Sequence, residues 1–158
     1  MQPDEMQFPR REDFVALLFL GADALVGELQ SRLSAAGYAD IRGAHGCVFG
    51  NLPPGGMRLT ELASTAKMTK QAVGEAVTDL ELLGYAERIP DSSDGRAKII
   101  RLTERGSEAQ RAGFRIIGEI EDEWVERYGQ ERVDTIRSIL LDLTAGAVPA
   151  AHEPARAA

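Results

Sequence analysis

The sequence is poor in the residues that carry most catalysis and covalent cross-linking. It has one cysteine, Cys47, and two histidines, His45 and His152. A single thiol excludes an intramolecular disulfide framework and fits a reducing compartment. No Cys/His spacing suits a structural zinc site, and two isolated histidines with no paired nucleophile leave no triad or metal-assisted hydrolase to assemble. There is no phosphate-binding glycine loop and no internal repeat. Aromatic residues make up 6% of the chain. No enzyme is expected, and no cofactor or metal.

Cations are also in deficit, with 18 Lys+Arg against 25 Asp+Glu. A net charge of -7 excludes an indiscriminate nucleic-acid coat protein. The excess is not evenly spread. Residues 57–106 hold eight basic and eight acidic residues, so the whole imbalance lies outside that segment. The middle of the chain is the part least repulsive to a polyanion.

Long hydrophobic runs are scarce. FVALLFLGADALV contains Asp23 and reads as too short to span a bilayer, so it is expected to be a buried helix. The opening MQPDEMQFPRRED lacks the basic-then-apolar order of a signal peptide. The expectation is a cytoplasmic chain with no membrane partner.

What is present is helical periodicity. Phe14, Leu18, Gly21, Leu25, Leu29 and Leu33 recur at helical spacing across 11–36, with Gly37 as a stop. Residues 42–52 suit a second helix, weakened by three glycines. After the breaker PPGG, Thr60 and Thr69 can cap two short helices joined by a turn at Lys67 and Met68. Val73, Ala76, Val77, Leu80 and Leu83 give the second an apolar face, and Gly84 ends it. This is a helix-turn-helix. YAERIP and AKIIRL then flank the turn DSSDG, which predicts a hairpin with Arg96 beside its tip. Ile99-Ile100 breaks the alternation, leaving open which isoleucine points inward. Thr103 caps a long helical region from about Glu104 to Ala145, with a break near Tyr128-Gly129.

A helix-turn-helix followed by a hairpin is a winged helix. Its second helix can enter a major groove, where each base pair shows a distinct donor/acceptor pattern. A narrow minor groove favours an inserted arginine. The fold class is therefore mainly α with a small β-hairpin wing (α+β), a winged helix-turn-helix flanked by long N- and C-terminal helices. The expected organisation is N-terminal helices over 11–52, a winged helix over 57–106, C-terminal dimerisation helices over 104–145 and a flexible tail over 149–158. The flanking helices have too little of their own domain to cover them, and a symmetric partner is the economical cover.

The segment LTELASTAKMTKQAVGEAVTDLELLGYAERIPDSSDGRAKIIRLTERG resembles the MarR-type regulators, a family named for multiple antibiotic resistance. The resemblance rests on Asp94-Gly95-Arg96, on Leu80, Gly84 and Arg88 before it, and on Leu102-Thr103 and Gly106 after it. It implies a homodimer that binds a pseudo-palindromic site on double-stranded DNA as a repressor. It also implies release by a small phenolic or other lipophilic effector, or by cysteine oxidation. By position it puts Thr69, Lys70, Gln71, Gly74 and Thr78 on the DNA side of the recognition helix. It makes Arg96 the wing-tip arginine, with Asp94 in support. The sequence departs from the family pattern in its recognition helix, whose second half carries Glu75, Asp79 and Glu81. Arg58, Lys67, Lys98 and Arg101 are the candidate compensating cations.

His45 is a candidate lining of a ligand pocket, with Tyr38, Phe49 and Trp124 as possible neighbours. Core packing is the competing reading for these aromatics. Two other functions stand beside the regulator. One is a winged helix used only for protein–protein contact, which the acidic recognition helix favours. The other is a thiol-based sensor through Cys47.

Overall fold

The computed structural model describes residues 13–145. The predicted tail over 149–158, and His152 with it, lies outside them. The chain divides after Ile117 into two compact units.

In the first unit, α1 (Phe14–Ala35) is followed by a 3-10 turn (Gly43–His45) and the single turn α2 (Gly46–Phe49). The predicted second helix is thus broken into two pieces. A short β1 (Met57–Arg58) leads into α3 (Leu59–Thr65) and α4 (Lys70–Leu82). Strands β2 (Ala86–Pro90) and β3 (Lys98–Leu102) form the wing, and α5 (Glu104–Tyr128) begins after it. The sheet has three antiparallel strands in the order β1-β3-β2. Met57 and Arg88 both lie opposite Ile100. A hairpin alone was expected; β1 is too short to show in the sequence.

Most helix ends follow their local chemistry; α3 instead starts at Leu59 after Arg58, so Thr60 lies inside it and does not cap it. The Thr69 hydroxyl accepts the Ala72 N–H at 3.2 Å and caps α4. At the other end Gly84 has φ 78°, Tyr85 N–H reaches Leu80 O at 2.8 Å and Gly84 N–H reaches Glu81 O at 3.0 Å. This is the Schellman closure that a glycine permits. α3 closes the same way, through Met68 N–H to Ala63 O and Lys67 N–H to Ser64 O. There the left-handed position is held by Lys67, φ 52°, a conformation in which a side chain crowds its own carbonyl. Thr103 caps α5 by accepting the Gly106 N–H at 3.1 Å.

The core of this unit is Val48, Leu62, Val73, Val77, Leu80, Tyr85 and Ile100, all essentially inaccessible. Ile100 is the inward isoleucine and Ile99 is half-buried. Gly106 lies directly against the Tyr85 carbonyl: a Cβ there would come within 1.9 Å of the oxygen. Only glycine lets α5 begin so close to the end of α4.

α1 corrects one expectation. It is not a buried helix: Phe14, Val15, Leu17, Phe19 and Leu20 are exposed, and Leu33 is its one buried residue. Nor is it too short. At 22 residues, with a mean hydropathy of 1.5, it is long and apolar enough to cross a membrane by length and composition. The estimate from FVALLFLGADALV stopped before the helix did.

The second unit holds the end of α5 and α6 (Gln130–Thr144). Gly129, φ 87°, makes the break that the sequence predicts near Tyr128-Gly129. Trp124 and Tyr128 meet edge to face, 6.0 Å between centroids. Arg137 pairs with Asp134 at 2.7 Å and with Glu121 at 3.2 Å. Ile136, Ile139, Leu140 and Leu143 of α6 are exposed.

Candidate nucleic-acid interface

The outer face of α4 carries Lys70, Gln71, Glu75 and Thr78, all exposed, with the Thr69 cap at its start. Gly74 is half-buried on the flank nearer α3, where a Cβ would sit 3.7 Å from a Leu59 methyl. The Gln71 amide donates to Glu75 at 3.1 Å, and the Thr78 hydroxyl donates to Gly74 O at 2.9 Å.

The acidic second half of α4 is largely neutralised within the chain. Arg42 donates to Asp79 at 2.9 Å, and the buried His45 places Nε2 3.3 Å from the same carboxylate oxygen. His45 Nδ1 accepts the Arg42 backbone N–H at 3.1 Å, which leaves Nε2 as the N–H that faces Asp79. Arg88, from β2, pairs with Glu81 and also donates to Thr78 Oγ1 at 3.3 Å. Arg42 and Asp79 are 37 residues apart in sequence. Sequence spacing along one helix cannot show such a pairing.

In the wing, Asp91 rather than Asp94 ties down the base. Its Oδ1 accepts the Ser93 hydroxyl at 2.7 Å and the Ser93 N–H at 2.8 Å, and its Oδ2 accepts Arg58 Nε at 2.8 Å. These contacts, the Ser93 hydroxyl first, lower the Asp91 pKa to about 2. Asp94 accepts the backbone N–H of Arg96 at 3.1 Å, not its guanidinium. The Arg96 side chain is therefore left to solvent at the ribbon's end. Lys70, Arg96 and Lys98 are exposed and have no ion pair among the described residues.

The other candidate cations are engaged. Arg58 holds Asp91, and Arg101 pairs across the strands with Glu87 at 2.6 Å. Lys67 sits in the turn between α3 and α4, in its left-handed conformation.

The pocket residues separate. A cavity of about 200 Å³ opens between α1, the 42–50 segment and the first turns of α5. Of the four residues expected to line it, Phe49 does. His45 is turned toward Asp79 instead, and Tyr38 packs near Tyr85, ring centroids 6.4 Å apart. Trp124 belongs to the second unit, where it meets Tyr128 edge to face. The polar lining residues are Gln30, Arg42 and Gln110, and Gln110 is committed to the carbonyls of Phe49 and Leu52 at 2.7 and 3.0 Å. Cys47 is half-buried, with Sγ 3.2 Å from Ala44 O. Burial pushes its thiol pKa up, the opposite of what a reactive thiolate needs.

Helix-turn-helix, three-stranded wing and flanking helices define the class: a winged helix-turn-helix protein. Residues 48–97 match the profile of the MarR family. Solved structures agree on the fold. MepR of S. aureus in its DNA complex is 20% identical, with 84% of this chain and 97% of that one aligned and a TM-score of 0.70. CouR of Rhodococcus jostii RHA1, bound to p-coumaroyl-CoA, is 22% identical over 90% and 96%, TM-score 0.67. MarR of E. coli in its apo form is 20% identical over 82% and 96%, TM-score 0.63. No curated protein matches the chain by sequence.

Proposed function

We propose that this chain is a cytoplasmic, homodimeric, sequence-specific DNA-binding regulator of transcription, acting as a repressor that a small lipophilic effector releases. The observation that carries the reading is the pair of free cationic elements on one rigid support. Lys70 stands at the start of α4 and Arg96 at the wing tip, while Arg88 fastens the wing to α4 through Glu81 and Thr78. Thr69, Lys70, Gln71 and Thr78 face the major groove, with Gly74 on the flank of that surface. Arg96 and Lys98 meet the backbone or minor groove. Arg58 acts through Asp91, and Lys67 sets the turn between the helices.

The partner is a pseudo-palindromic duplex with half-sites about one helical turn apart. A second copy covers the exposed apolar faces of α1 and α6, so that α1 needs no membrane. The cavity beside Phe49 is the effector site. CouR bound to p-coumaroyl-CoA and MepR bound to DNA support the two halves of this reading.

Fluorescence anisotropy on duplexes from the chain's own upstream DNA tests it. Saturable binding that weakens steeply with salt is expected, because released counterions drive phosphate contacts. Absence of binding at low salt would leave the protein–protein module as the better account.

A further inference from the structure

Three carboxylates stand on α4, and two of them are neutralised from outside the helix. Asp79 takes Arg42, and Glu81 takes Arg88. Glu75 is the third. It is exposed on the outer face, one turn after Gln71 and one turn before Thr78, and has no cationic partner among the described residues. Beside phosphates an unpaired anion lowers affinity for every duplex, unless a donor on the DNA meets it.

Glu75 is also held in place. The Gln71 amide donates from Nε2 to Glu75 Oε1 at 3.1 Å. The reverse orientation of that amide would set oxygen against oxygen. Glu75 Oε2 and the second N–H of the Gln71 amide have no partner among the described residues. An acceptor and a donor therefore stand side by side on the outer face of α4.

Resting on the regulator reading, we infer that Glu75 reads a cytosine in each half-site, accepting its N4 amino group in the major groove while Gln71 donates to O6 of the paired guanine. Only cytosine N4 and adenine N6 are donors in that groove. In an A·T pair the donor has an acceptor on both sides, N7 of adenine and O4 of thymine, and both repel a carboxylate. In a G·C pair the cytosine amine has O6 on one side and a C–H on the other. The Glu75–Gln71 pair matches that edge, acceptor to donor and donor to acceptor. Glu75 thus acts by discrimination: it weakens binding to all DNA, and least where a cytosine lies beneath it.

The test starts from duplexes selected out of a random pool by the wild type and by Glu75→Ala. The wild type is expected to favour a C·G pair about tenfold at one position of each half-site. Glu75→Ala is expected to lose that preference while keeping those at other positions. It is also expected to bind a scrambled duplex more tightly, because a negative charge has gone. A merely structural role for Glu75 would weaken binding to all duplexes alike.

Anisotropy on the wild type's selected duplex then locates the contact. N4-methylcytosine at the favoured position keeps Watson–Crick pairing but replaces the outward N–H. It is expected to cost the wild type about tenfold and Glu75→Ala nothing, as for two partners of one contact. An unchanged preference in Glu75→Ala, weaker binding of the scrambled duplex by that variant, or an equal cost of the methyl group in both proteins overturns the inference and leaves Glu75 a solvated helix charge. Those results all require that the wild type selects a duplex. A wild type that selects none overturns the DNA-binding reading, and this inference with it.

Discussion

The Arg88 guanidinium reaches from the first wing strand to the Glu81 carboxylate near the end of α4. Its other N–H contact is the Thr78 hydroxyl, one turn back on the same helix. The wing and the recognition helix are therefore joined by a side chain as well as by the chain itself. Replacing Arg88 with Ala should lower DNA affinity tenfold or more, by letting Arg96 wander relative to α4, while costing only about 1 kcal/mol of folding stability. Anisotropy and chemical denaturation on the same variant separate the two effects. A loss of affinity that merely tracks a loss of folded protein would show that the link only stabilises.

Among the described residues, the Arg96 guanidinium has no partner. Arg96→Ala should leave the melting temperature within a degree or two and weaken duplex binding by about 1–3 kcal/mol. The salt slope should also become shallower by about one counterion. An unaltered slope and affinity would remove the wing tip from the interface.

Gly106 sits where a methyl group would strike the Tyr85 carbonyl. Gly106→Ala should cost about 2–3 kcal/mol, because the obstacle is backbone and cannot rotate away. Gly113, also on α5, has nothing within 4 Å of a built Cβ. Gly113→Ala should be neutral or slightly stabilising. Thermal denaturation of the pair checks the contrast.

Lys67 occupies a left-handed position that a glycine would take without strain. A β-branched residue is least suited to it, so Lys67→Val should destabilise by about 1–2 kcal/mol more than Lys67→Gly. Equal melting temperatures for the two would mean that the turn relaxes to another conformation.

Asp91 gives the wing an acid limit. Its pKa is lowered from 3.8 to about 2, so the folded state holds the proton less tightly than the unfolded chain does. The contribution is complete above the unfolded value and is lost as pH falls from about 4 toward 2. Wild type should lose stability over that window relative to Asp91→Asn, which has no carboxyl to titrate there. Denaturation curves at pH 5, 4, 3 and 2 compare them. Parallel behaviour of the two proteins would assign the acid sensitivity elsewhere.

Much of the architecture was legible locally. The Thr69 and Thr103 caps, the Gly84 stop and the apolar face from Val73 to Leu80 each depend on neighbours within a few residues. Sequence spacing reports such contacts directly. So does the break at Gly129. The two-residue β1 was not legible, since a strand that short has no periodicity and exists only because β3 offers its edge. The Ile99-Ile100 ambiguity had the same origin and was resolved by the register of β3 against its neighbours.

The site divides along the same line. The resemblance to the MarR-type regulators put Lys70, Gln71 and Thr78 on the candidate surface, and the order of the hairpin residues put Arg96 there. Tertiary structure alone decided which charges remain available there. Arg58 lies 33 residues from Asp91, and Arg42 lies 37 from Asp79. It also sent His45 to the recognition helix and put Phe49 on the cavity wall. A local contact is set by the geometry of a turn or a cap, which a few consecutive residues encode. A pairing across dozens of residues forms only after the intervening chain has folded, and many partners of equal charge could have served.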